Sequence, residues 1–179
     1  MEYSLEELKN RYLAIRLFEE GSEEEEKKRV GQTVCGFDFD PGHCRLCMYH
    51  DTCAGRIRGA RSAGWQRRMQ SFRALNELEL AIRNSLNEKQ SRQEPPGAGG
   101  SELPRRRRYG RPDPEEEQLL ALLAKVLRTL ARSPVVQNTN DANRAEEACR
   151  IFEDLYYSTG DPEYREQMES CRLLVSRMR

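Results

Sequence analysis

Between Cys35 and Cys53, nineteen residues hold four of the chain's six cysteines and both of its histidines. Thiolate and imidazole are the ligands zinc prefers, four to an ion in a tetrahedron. A Cys-x2-Cys pair wraps one edge of such a tetrahedron, and Cys44 and Cys47 have that spacing. Two further ligands must come from Cys35, His43, His50 and Cys53, of which His43 ranks last because it adjoins Cys44 and neighbours rarely chelate one ion together. Three sets result. The first is Cys35, Cys44, Cys47 and His50; the second puts Cys53 in place of His50; the third is Cys44, Cys47, His50 and Cys53. The competing reading is a group of buried or free thiols with no metal. The compact spacing predicts one closed, structural zinc ion rather than a catalytic one, which would need an open position and a general base. No Gly-rich phosphate loop or Ser/His/Asp arrangement is present, so no enzyme is expected.

Six arginines and no acid occupy residues 54–73: Arg56, Arg58, Arg61, Arg67, Arg68 and Arg73. Guanidinium groups pair bidentately with phosphate and stack on bases, so this run predicts a phosphate-binding surface. The plainer alternative is a solvated face that balances residues 1–30, where nine acids outnumber six bases, packing against that helix being one way to do so. A second basic group, Arg105, Arg106, Arg107 and Arg108, reads as an import signal or a solubilising tether.

The stretch "CGFDFDPGHCRLCMYH", residues 35–50, resembles the first part of a CCCH-type zinc finger. Cys35-x8-Cys44, Gly42 and the aromatics Phe37 and Phe39 match that family's opening; the shorter gaps, Cys44-x2-Cys47-x2-His50, depart from its later spacing. The resemblance implies zinc on Cys35, Cys44, Cys47 and His50, single-stranded RNA as ligand, and Phe37, Phe39 and Tyr49 as base-stacking side chains. The order of finger, oligomerising helix and helical domain is similar to the small transcription factors of pneumoviruses and filoviruses. "CRLCMYHD" resembles an element of small nuclear non-structural proteins of parvoviruses.

The elements that must position these groups read as helices. Ser4 and Glu7 form a capping box, followed by Leu5, Leu8, Tyr12, Ile15 and then Leu17 and Phe18 at helical spacing, with Gly21 as an end or interruption. From about Ser62, Trp65, Met69, Phe72, Leu75, Leu78, Ile82 and Leu86 recur with a mean step of 3.5 residues, the spacing of a coiled-coil seam. That stripe predicts either self-association through 62–90 or packing on the chain's own helices. Residues 91–113 are rich in Pro, Gly and Arg with almost no apolar content, so they read as a disordered linker. A leucine-rich helix opening at Pro114 and two further helices, the last opening with Asp161 and Pro162, complete the chain. Its leucines read as core, with an exposed export signal as the alternative.

The expected fold class is therefore mainly α. The expected domains are an amphipathic and acidic helix (1–30), a metal-binding module with a basic extension (31–61), a long helix (62–90), the linker (91–113) and a C-terminal three-helix unit (114–179). The mean hydropathy of −0.89 and 34% charged residues suit a modest core. No apolar run approaches the roughly 20 residues of a membrane span. No apolar segment follows Met1, so the expected compartment is intracellular, nucleus or cytoplasm, where clustered Cys and His favour metal over disulfides. The functional expectation is a zinc-stabilised regulatory protein of RNA or single-stranded nucleic acid, such as a viral transcription or RNA-processing accessory factor. The alternative is a protein-interaction adaptor in which zinc only staples the fold and the helical stripes dock a protein partner.

Overall fold

The computed structural model describes residues 3–30, 43–93, 112–133 and 139–178. They form five α-helices and one short 3-10 turn, with no strand among the described residues. The helices are α1 (Leu5–Val30), α2 (His50–Gln93), α3 (Pro114–Arg132), α4 (Thr139–Thr159) and α5 (Pro162–Met178). The mainly-α expectation holds. No helix is long and apolar enough to cross a membrane.

The chain divides into two compact units, one of residues 13–74 and the other of residues 1–12 with 75–179. The larger unit is built around α3. Its charged first turn fits the helix dipole, Pro114 occupies the first helical position, and Asp113 accepts from the Glu115 N–H at 3.2 Å. Leu119, Leu122, Leu123, Val126, Leu127 and Leu130 are all buried, so the leucine stripe is core and not an exposed signal. α4 packs on both α3 and α5. It contributes Ala145, Ala148, Phe152 and Leu155, and α5 contributes Tyr164, Met168 and Cys171. Phe152 stacks against Tyr164 with centroids 6.4 Å apart, and the Tyr164 hydroxyl donates to Glu117 at 2.9 Å. Gly160, at φ 75°, ends α4 in the left-handed region, and Asp161 caps α5 through the Glu163 N–H.

This unit is larger than the three-helix expectation. Residues 75–86 of α2 bury Leu75, Leu78, Ile82 and Leu86 within the same chain, and Arg83 forms a two-pronged pair with Glu147 of α4 at 2.9 and 2.8 Å. The first turns of α1 join it too. Leu8 is fully buried, Lys9 reaches Gln118 at 2.7 Å, and Tyr12 bonds Thr129 at 3.2 Å.

The smaller unit pairs residues 13–30 of α1 with residues 50–74 of α2. Both helices are longer than their glycines suggest. α1 runs through Gly21, with the Ser22 hydroxyl bonded to the Phe18 carbonyl at 2.7 Å, and α2 begins twelve residues before Ser62 despite Gly55 and Gly59. A helical glycine costs about 1 kcal/mol relative to alanine. Gly21, Gly55 and Gly59 are all exposed, with open space where a Cβ would lie, so the helices carry this cost on their solvent side. The inward face of α2 here is Cys53, Ile57, Ala60, Gly64 and Ser71.

Candidate functional site

The Cys/His segment enters α2 as a ladder of tight turns. The Cys47 N–H donates to the Cys44 carbonyl at 3.0 Å, the His50 N–H to the Cys47 carbonyl at 3.0 Å, and the Cys53 N–H to the Tyr49 carbonyl at 2.9 Å. The three-residue spacing that reads as chelation is thus also the spacing of successive i,i+3 turns leading into a helix. Cys44, Cys47 and His50 are half-buried on this ladder. Cys53 differs, lying 5% exposed on the inward face of α2 as a packed thiol. The Nδ1 atom of His50 sits 3.0 Å from Asp51 Oδ1. A carboxylate on one ring nitrogen is the usual outer-shell arrangement of a metal-ligating histidine.

Among the described residues, no three His, Cys, Asp or Glu side chains converge closely enough to hold an ion. Cys35, Phe37 and Phe39 lie outside the described residues, as do Arg105, Arg106, Arg107 and Arg108. Tyr49 is exposed beside the ladder, with Leu46 and Met48 exposed next to it.

The arginines divide into two classes that the sequence does not distinguish. Arg56, Arg58 and Arg61 are exposed, with no carboxylate partner among the described residues. Arg67 instead meets Glu25 at 2.5 Å, and Arg68 meets Glu26 at 2.6 Å. Because α1 does not stop at Gly21, its acidic run lies alongside α2 and supplies both carboxylates. Of the six arginines expected to face phosphate, these two are therefore already paired, while Arg73 is exposed like the first three.

Trp65 also departs from its expected place. It belongs to the apolar stripe by spacing, yet it is 52% exposed, and Met69 and Phe72 are only half-buried. A stripe of period 3.5 drifts by about 20° per heptad on a straight α-helix. Over the three heptads from Trp65 to Leu86 the face rotates by about 60°. The leucine end is buried, and the tryptophan end turns outward. Ala60 and Gly64, small residues four apart just before Trp65, are the sequence signal for a different inward face.

No family model, no curated protein and no solved structure matches the chain.

Proposed function

We propose that this chain is a zinc-stabilised regulatory protein that binds RNA or single-stranded nucleic acid. One observation carries the reading. Arg56, Arg58 and Arg61 stand exposed on the first turns of α2, directly after the Cys/His ladder, in a stretch with no acid from residue 52 to residue 76. Guanidinium groups left unpaired on a helix suit phosphate, which they meet bidentately. Zinc, on Cys35, Cys44, Cys47 and His50, would staple the segment that leads into those turns. The burial of Cys53 and the carboxylate on His50 support His50 over Cys53 as the fourth ligand. Arg105 to Arg108 would then serve nuclear import.

The test has two arms. Purified full-length protein is expected to carry about one zinc per chain. His50→Ala should remove it, and Cys53→Ser should leave it in place. On a single-stranded column, retention should fall with salt, and Arg56→Gln, Arg58→Gln and Arg61→Gln should each flatten the slope by about 0.7. Absence of retention at low salt overturns the nucleic-acid reading.

A second reading, the protein-interaction adaptor, is favoured by the apolar side chains this unit leaves outward: Leu13, Leu17 and Phe18 on α1, and Leu46 and Met48 beside the ladder. Salt-insensitive binding of a protein partner, lost on Leu17→Ser, would select it.

A further inference from the structure

We infer that Trp65 is a base-stacking platform, with Arg58 and Arg61 gripping the phosphates of the same single strand; this rests on the nucleic-acid reading above and names how that site holds its ligand. Residues 58, 61 and 65 are three and four apart, so they line one stripe of α2 over two turns, about 10 Å along the axis. All three side chains are exposed. The stripe one residue back, Ile57, Ala60 and Gly64, is buried, so the exposed stripe flanks that inward face, about 100° round the helix.

An indole half in water forgoes one of the largest apolar burials available to a side chain. On a face meant for a protein partner, apolar neighbours would surround it. Here the residues one and two turns before it are exposed arginines, and the carboxylates that α1 brings to this stretch, Glu25 and Glu26, are paired with Arg67 and Arg68. An aromatic surface beside arginines left unpaired among the described residues is complementary to a base attached to a phosphate chain. A duplex keeps its bases stacked on each other, so the occupant is a single strand. Stacking tolerates any base, so little sequence preference is expected.

Trp65 is the chain's only tryptophan, so its fluorescence reports this position alone. Full-length protein would be titrated with short oligouridylate, short oligothymidylate, a duplex, and heparin, a polyanion without bases. The expected result is saturable quenching by one or both single strands and none by heparin, even where heparin binds. Trp65→Ala should weaken single-strand binding about tenfold, with Trp65→Phe restoring much of it. Because the indole is exposed, both variants should keep the helical circular dichroism of the parent. Quenching by only one oligonucleotide supports the platform and shows that the 2′-hydroxyl or the thymine methyl group is read as well. Equal quenching by the duplex overturns the single-strand assignment. If single strands bind in an Arg58- and Arg61-dependent way, while emission stays constant and Trp65→Ala changes affinity by less than about twofold, the platform is wrong and the arginine site stands. If no single strand binds at low salt, both fall.

Discussion

The Glu26 carboxylate accepts from Arg68 Nη1 at 2.6 Å and occupies the space in which a side chain on residue 64 would lie. Gly64, Glu26 and Arg68 are thus one arrangement. The missing Cβ admits the carboxylate, and the carboxylate withdraws an arginine from the basic run.

Gly64→Ala should separate these effects. The new methyl group overlaps the carboxyl end of Glu26, which is free to swing away. The gain in helix propensity is about 1 kcal/mol, and the pair lost is worth about 0.2–1 kcal/mol. Urea unfolding should therefore shift by no more than about 1 kcal/mol. Under the proposed function, the released Arg68 should tighten single-strand binding, and Glu26→Gln should do the same without touching the backbone. A loss of more than about 2 kcal/mol in Gly64→Ala would show that Glu26 cannot move aside.

Phe152 is fully buried between α4 and α5. Phe152→Ala removes a ring and leaves a cavity, at a cost of about 3–5 kcal/mol by chemical denaturation. Leu8→Ala should cost about 2–5 kcal/mol, since Leu8 is equally buried. A negligible Leu8 effect would mean that the first turns of α1 do not belong to that core.

Arg83 should couple to Glu147. Two parallel N–H donors meet the two carboxylate oxygens, a geometry stronger than a single exposed contact. Both side chains are about one-third exposed, so the double-mutant coupling should be about 1 kcal/mol and fall with salt. Coupling indistinguishable from zero would reduce the pair to surface decoration.

Glu7 links the first helix to pH. The Ser4 backbone N–H, and then its hydroxyl, hold the Glu7 carboxyl below its ordinary value of 4.5. The folded value lies below the unfolded one. The contribution is therefore present above about 4.5 and is lost as pH falls through the folded value. Glu19 has the opposite sign, because burial holds its carboxyl above the ordinary value. Glu7→Gln should lower the melting temperature near neutrality and converge on the parent in acid. A constant difference across that range would refute the linkage.

Local chemistry made several features legible without coordinates. Ser4 and Glu7 cap each other, Asp113–Pro114 and Asp161–Pro162 open their helices, and the α3 leucines face a core, because capping and amphipathic burial depend on residues within one or two turns. Glycine was less legible: the helices run through Gly21 and Gly55, both exposed with open space around them, so neither position needs glycine's extra conformational freedom.

The sequence by itself determined a mainly helical fold, the Cys/His spacing and the charge runs, all of which are properties of near neighbours. Only the tertiary structure decided which arginines are spent. Arg67 and Arg68 look identical to Arg58 and Arg61 in the chain, but Glu25 and Glu26, forty-two residues away, lie against the first pair and not the second. It also decided the fate of the apolar stripe. A 3.5-residue period cannot stay on one face of a straight helix, so packing buries Leu75 to Leu86 and leaves Trp65 in water.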